Sequence, residues 1–238
     1  MTIRIVRAPG FAAAAVRLLV CSLIASVPWQ LAAAAEQGFY VGASYGQAKS
    51  SLAAGSFNEL AGFVYDAYGF APAQSSTTFD DKDYGYGIVG GYRMFANLAF
   101  EGGYLDLGEA VYRDTSSGTD LVTGEPGTWN QRIGVNTSGM TLSALGILPL
   151  SYRSELYARV GVMFSTNELQ VRISDGTSSD NPSISDSGTE LLAGIGAGFT
   201  FAEIYTARLE YQRVFDAGSD DTGEADIDMI SLGVTVTF

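Results

Sequence analysis

The end of the chain shows the clearest alternation of apolar and polar side chains. From Ile230 to Phe238, every second residue is aliphatic or aromatic, and the residues between them are small or polar. A period of two places successive side chains on opposite faces of a β-strand. The pattern therefore predicts a strand with one apolar face, ending at an aromatic residue.

Similar alternation recurs upstream and predicts seven further strands. The eight strands are expected at 37–48, 84–94, 97–108, 134–147, 155–170, 189–201, 205–216 and 227–238. Short turns are expected near 94–96, 148–154 and 202–204, and long loops near 50–83, 109–133, 171–188 and 217–226. Connections that alternate between long and short indicate an antiparallel up-and-down meander.

The distribution of glycine indicates which face of the sheet points inward. In the segment 189–201, Gly194, Gly196 and Gly198 share one face, and Leu191, Ile195 and Phe199 share the other. An eight-stranded barrel has a narrow interior that suits small side chains, which leaves the apolar face for lipid. Beyond residue 35 the chain contains no run of 18 apolar residues, so a transmembrane helix is not expected. The predicted fold is all-β, an eight-stranded antiparallel transmembrane β-barrel; a soluble ligand-binding barrel would reverse the two faces.

The first 35 residues have the pattern of a secretory signal peptide. Basic residues precede an apolar run from Leu18 to Val27, and a small-residue stretch ends in Ala33-x-Ala35. We therefore expect 1–35 to be cleaved before Glu36 and 36–238 to form the barrel domain. Cys21, the one cysteine, lies inside the apolar run and would be removed with it.

Several short segments resemble a known family. They are 39–43, 91–93, 98–104, 148–150, 156–159 and 209–211, with the sequences FYVGA, GYR, LAFEGGY, LPL, LYAR and LEY. In order and spacing they resemble the outer membrane protein A-like transmembrane domain, over essentially all of 36–238. The resemblance implies the bacterial outer membrane of a Gram-negative cell, with both termini in the periplasm. The printed sequence ends at Phe238, so we expect no periplasmic peptidoglycan-binding domain after the barrel and no peptidoglycan role.

Five charged residues are predicted to point into the barrel, away from lipid. They are Arg93, Glu101, Arg159, Arg208 and Glu210. A buried charge needs a partner, and the resemblance implies a core of ion pairs that plugs the lumen. Simple filling of the lumen is favoured, while gating of a narrow pore and acid–base work by the carboxylates remain alternatives.

The chain contains no histidine, so the histidine-dependent chemistries of outer-membrane enzymes have no base here. We therefore expect no enzyme activity, catalytic residue, cofactor or defined metal site. The net charge of -13 argues against nucleic acid as a partner.

Acidic residues are concentrated in the predicted long loops. They are Asp80, Asp81, Asp83, Glu109, Asp114, Asp120 and Glu125, and the cluster Asp216, Asp220, Asp221, Glu224, Asp226 and Asp228. Next to lipopolysaccharide, such carboxylates suggest bridging by divalent cations, which prefer hard oxygen ligands.

The expected function is a structural or surface-interaction role in the outer membrane, as a monomer. The expected partners are outer-membrane lipid, lipopolysaccharide and the barrel assembly machinery, since Phe238 resembles the terminal signal for assembly. A small diffusion channel, gated by the interior Arg and Glu pairs, is the alternative.

Overall fold

A computed structural model describes residues 37–52, 54–176, 179–218 and 224–238. The predicted signal peptide and its cleavage site lie outside these residues. The elements are β1 (Gly38–Ser50), α1 (Ala54–Ala67), β2 (Phe70–Asp80), β3 (Lys82–Phe95), β4 (Leu98–Asp120), β5 (Pro126–Pro149), β6 (Ser154–Ser174), β7 (Ser179–Asp180), β8 (Ser183–Phe201), β9 (Tyr205–Ala217) and β10 (Ala225–Thr237). In the described part of the chain, no helix is long and apolar enough to cross a membrane.

Eight of these strands close into an antiparallel ring. Its order is β1, β3, β4, β5, β6, β8, β9 and β10, and β10 closes it by pairing with β1, for example at Tyr45↔Leu232. Closure leaves no free edge within the ring, which is what a sheet surrounded by lipid requires. The predicted eight-stranded antiparallel β-barrel is confirmed.

The outer face of the ring is apolar. Ile88, Ile195 and Leu232 are 59%, 65% and 68% exposed. Aromatic pairs flank this band: Phe39 and Tyr92 contact each other near the chain termini, and Tyr45 stacks on Tyr84 near the opposite rim. An exposed apolar band between aromatic girdles is typical of a barrel that faces lipid.

The prediction of long loops at 109–133 and 171–188 is wrong, because strands occupy most of both segments. The strands β4 and β5 continue to a turn at 121–125. A β-bulge between Asp106 and Glu109, with Gly108 at a φ of +75°, shifts the register of β4. Before the bulge Leu105 faces inward, and after it Ala110 does. The bulge breaks the alternation that sequence reasoning followed, and so it hides the rest of the strand.

The predicted loop 50–83 instead contains α1 and β2. The strand β2 pairs with β4 beyond the ring, from Asp80↔Val111 to Phe70↔Asp120. The helix α1 places Phe57, Ala61 and Tyr65 on one face, at helical spacing. This face packs inside the extended strands, where Phe57 stacks on Tyr112. We call α1, β2 and the parts of β4, β5 and β6 beyond the ring the cap, and the opposite end of the barrel the short-turn end.

Candidate functional site: the barrel interior and the cap

Four of the predicted interior charges form one cluster. Arg159 contacts Glu101 (Nη2–Oε2, 2.6 Å) and Glu210 (Nε–Oε1, 2.8 Å), and Arg208 contacts Glu101 (Nη1–Oε1, 2.6 Å). Their side chains are at most 11% exposed. These residues are distant in sequence. The barrel brings them together because each occupies an inward-facing position on β4, β6 or β9. Two guanidinium groups and two carboxylates neutralise each other, as buried charges require.

Two tyrosines, Tyr40 and Tyr157, complete the cluster and were missed in the sequence. The hydroxyl of Tyr40 donates to Glu101 (2.6 Å), and that of Tyr157 donates to Glu210 (2.7 Å). The guanidinium of Arg208 lies 5.0 and 5.3 Å from the centres of the two rings. This geometry fits a cation–π contact on both sides.

Each tyrosine ring lies over a glycine of the neighbouring strand. Tyr40 is in register with Gly91, and Tyr157 with Gly196. A Cβ atom at either glycine would lie 2.3 Å from a ring carbon. A tyrosine opposite a glycine, both facing inward, would have indicated these two residues. This pairing can be recognised only when the strand register is known.

Arg93 lies apart from the cluster, at the short-turn end. It donates to Glu155 (2.8 Å) and to the carbonyl of Ala96 (2.7 Å). Glu155 is the second residue of β6 and was also missed, since sequence reasoning placed no partner beside Arg93.

Between the charge cluster and the cap, the interior is apolar. Met163, Leu192, Val214 and Met229 have no exposed surface. We call the following residues the apolar layer: Ala48, Leu105, Leu107, Met163, Leu192, Val214, Ala217, Ile227 and Met229. Sequence reasoning expected small, polar and charged side chains throughout the lumen and did not foresee this layer.

A chain of hydrogen bonds runs beside the apolar layer. Thr137 donates to Asn167 (2.7 Å), Asn167 donates to Ser165 (3.0 Å), and Ser165 donates to Glu190 (2.7 Å). Glu190 is buried, and its Oε2 atom has no hydrogen-bond partner in the described structure. At the cap end of the interior, a cavity of about 20 Å³ remains, which is room for about one water molecule.

The cap has a buried carboxylate of its own. Asp114, expected in a solvated loop, is only 3% exposed, which corrects that expectation. It accepts hydrogen bonds from Tyr65 (2.7 Å), Ser116 (2.8 Å) and Ser75. Burial raises the pKa of the Tyr65 hydroxyl, so this hydroxyl remains a donor at neutral pH.

The remaining predicted features can also be placed. Phe238 is 79% exposed, and its amide donates to the carbonyl of Phe39 (2.9 Å). Within the described ranges, no group of three or more acidic, cysteine or histidine side chains is arranged to hold a metal ion.

Comparisons with known proteins identify the family. The model of the OmpA-like transmembrane domain matches residues 34–238. Outer membrane protein A of Yersinia pseudotuberculosis is 27% identical over 157 residues, which are 65% of this chain and 40% of that protein. The chain thus spans less than half the length of this relative.

The barrel is also similar to solved structures. Neisserial surface protein A is 15% identical, with 84% of this chain and 97% of that chain covered and a TM-score of 0.48. The attachment invasion locus protein of Yersinia pestis is 14% identical, with coverage of 85% and 100% and a TM-score of 0.41. Because the family model matches most of the chain, the chain belongs to the OmpA-like transmembrane domain family of outer-membrane β-barrel proteins.

Proposed function

We propose that this protein is a closed outer-membrane barrel that holds the cap at the cell surface for contact with other molecules. The observation that carries the proposal is the filled interior. The charge cluster fills one level of the lumen and the apolar layer lies between it and the cap, which supports anchoring rather than transport. An ion that crossed the apolar layer would lose its hydration shell, a cost that narrow apolar constrictions impose on ions.

We also propose the orientation. The cap lies at the end opposite the short turns at 96–97, 150–153 and 202–204, and both termini lie at the short-turn end. In outer-membrane barrels the short turns face the periplasm and the longer loops face the outside. The cap would then be extracellular, and both termini periplasmic.

The remaining expectations are part of the same proposal. Carboxylates at the rim below the cap, such as Asp81 and Asp83, would contact lipopolysaccharide through divalent cations. Phe238 would serve as the signal for the barrel assembly machinery. The protein would act as a monomer without enzyme activity, cofactor or nucleic acid.

Cysteine labelling of intact cells tests the surface presentation. The only native cysteine, Cys21, lies in the predicted signal peptide. Val122→Cys, at the 84% exposed tip of the β4–β5 hairpin, should react with a membrane-impermeant maleimide. Tyr152→Cys, 75% exposed in the turn between β5 and β6, is the matched control and should react only after lysis. The reverse pattern would contradict the orientation.

A small diffusion channel is the second candidate. It is favoured by the hydrogen-bonded chain from Thr137 to Glu190, because Glu190 is a buried carboxylate that forms no ion pair with an arginine of the described residues. Such a polar strip along one wall could carry ions if the apolar side chains moved aside. Conductance separates the two candidates.

A further inference from the structure

Three arginines stand side by side on the outer face of the cap. Arg113 on β4 is in register with Arg132 on β5, and Arg132 is in register with Arg172 on β6. Their Cα atoms therefore follow one line across three strands, with about 5 Å between neighbours. We call these three residues the arginine row. Residues 36–238 contain ten lysines and arginines, and three of them stand in this row.

The arginine row carries an electrostatic cost within the sheet. Like charges directly opposite each other on neighbouring strands are destabilising. Arg132 is neutralised by Glu109, through hydrogen bonds of 3.0 and 2.6 Å. Arg172 instead donates to the amide oxygen of Asn181 (2.8 Å), and no described carboxylate forms an ion pair with Arg113. Two guanidinium groups with spare donors thus flank a neutralised one.

The surroundings of the row are suited to sugars. The two residues that end the row are Thr78, in register with Arg113, and Asn181. A groove of about 240 Å³ runs beside the row, and its polar lining is Arg132, Arg172, Gln170, Asn181, Ser183 and the carboxylate of Glu168, which accepts from the Gln170 amide. It is slightly smaller than the about 300 Å³ at which pockets for whole small ligands begin. Amides and hydroxyls beside guanidinium groups can bind both the hydroxyls and the anionic substituents of a saccharide.

The height of the row decides which anion can reach it. On β5, the large exposed apolar side chain nearest the cap is Met140, and Arg132 lies eight residues closer to the cap. On β6, Arg172 lies eight residues closer to the cap than Phe164. Eight residues of a strand tilted by about 45° rise roughly 19 Å. The headgroup layer on each side of a bilayer is only about 5 to 8 Å thick. Phosphates at the bilayer surface therefore lie below the row, and the ligand must project from the membrane.

We propose that the arginine row binds the phosphorylated saccharide core of lipopolysaccharide from the same membrane, through charge-assisted hydrogen bonds that need no bridging cation. The proposal rests on the outward orientation of the cap proposed above. Arg113 and Arg172 supply guanidinium N–H donors, and the pairing of their strands with β5 sets the distance between them.

Calorimetry on the full chain in uncharged detergent micelles tests the proposal. The probe is core oligosaccharide released from lipid A, in its phosphorylated form and after enzymatic dephosphorylation. We expect binding of the phosphorylated form, at least about tenfold weaker binding of the other, and loss of affinity at high salt, because salt screens exposed charges. The double variant Arg113→Gln/Arg172→Gln should weaken binding of the phosphorylated form by at least about tenfold.

Arg153→Gln is the matched control, since Arg153 lies in the turn at the short-turn end and contacts Tyr152. Its affinity should stay within about twofold of the unmodified protein. Equal binding of the two oligosaccharides, equal loss in Arg153→Gln and the double variant, or binding of a sulfated glycan or acidic peptide alone would overturn the proposal.

Failure of this proposal is distinguishable from failure of the orientation, because binding in micelles does not depend on how the barrel is inserted. Absent binding together with surface labelling of Val122→Cys overturns the arginine row alone. Labelling of Val122→Cys only after lysis overturns the assignment to lipopolysaccharide, whatever the calorimetry shows.

Discussion

At the scale of single residues, Glu101 is the carboxylate of the charge cluster with the most partners. It contacts Arg159 and Arg208 and accepts a hydrogen bond from Tyr40. Glu101→Gln removes a charge that neutralises two buried guanidinium groups. Breaking a buried ion pair from one side typically costs about 3 to 5 kcal/mol. We expect a loss of that order in the free energy of unfolding, measured by urea titration in lipid vesicles.

Glu59→Gln is the control for Glu101→Gln, because Glu59 is exposed on α1. It should change the free energy of unfolding by less than about 0.5 kcal/mol. Equal effects of the two variants would show that the interior cluster does not contribute to stability.

Gly91 tests the packing of Tyr40. A Cβ atom at Gly91 would collide with the Tyr40 ring, whereas one at Gly90, the preceding residue, meets nothing within 4 Å. Gly91→Ala should therefore displace the tyrosine from Glu101 and cost about 1 to 3 kcal/mol, the usual range for overpacking. Thermal unfolding of both variants measures the difference, and a Gly90→Ala variant as unstable as Gly91→Ala would contradict this packing.

The inward parity of Glu101, Arg159, Arg208 and Glu210 could be predicted from the sequence, because alternation alone decides the face of a strand. Their pairing could not. A contact such as Arg208 with Glu101 crosses the ring between β9 and β4, and its length depends on register and closure. The same holds for Tyr40 and Tyr157, whose places depend on the glycine opposite each of them.

At the scale of elements, the cap was the part that alternation could not predict. The helix α1 contains Gly55 and Gly62, which lower its intrinsic helix propensity. The spacing of Phe57, Ala61 and Tyr65 was a helical signal, but it stands alone between two strands. The helix is stable because this face packs against Tyr112 and Ile133 in the cap.

Phe57→Ala should loosen the cap without opening the ring. Phe57 is 5% exposed and packs on Tyr112, whereas Phe63 on the same helix is 59% exposed. Truncating a buried phenylalanine costs about 3 to 5 kcal/mol, so protease should cleave within residues 50–80 faster in Phe57→Ala than in Phe63→Ala. Equal cleavage rates would show that α1 is not held by this face.

The β4–β5 turn gives a prediction about pH. The amides of Val122 and Thr123 donate to the Asp120 carboxylate (2.8 and 3.0 Å), and these bonds hold the pKa of Asp120 below its ordinary value of 3.8. Stability from a lowered pKa is present above the ordinary value and is lost as pH falls through the lowered one. In NMR spectra, both amide signals should titrate with a midpoint below 3.8; a midpoint at or above it would contradict the bonding.

At the scale of the whole molecule, the ring and its strand order followed from the sequence, because eight alternating segments with short and long connections admit few closed arrangements. The division of the interior into a charge cluster and an apolar layer did not. Residues such as Leu192 and Met229 share the inward parity of their strands, but they resemble lipid-facing residues in type, and only the closed ring shows that they meet in one apolar layer. The filled interior is the reason to expect function at the surface rather than in the lumen.

Conductance in a planar lipid bilayer tests the closed barrel most directly. We expect no steady openings from the unmodified protein, and none from Glu101→Ala or Arg159→Ala, because the apolar layer still closes the lumen in these variants. Replacing Met163, Leu192 and Met229 together by serine is the positive control, which should produce openings by removing that layer. Steady, ion-selective openings of the unmodified protein that Glu101→Ala or Arg159→Ala alters would contradict the closed barrel and identify a channel.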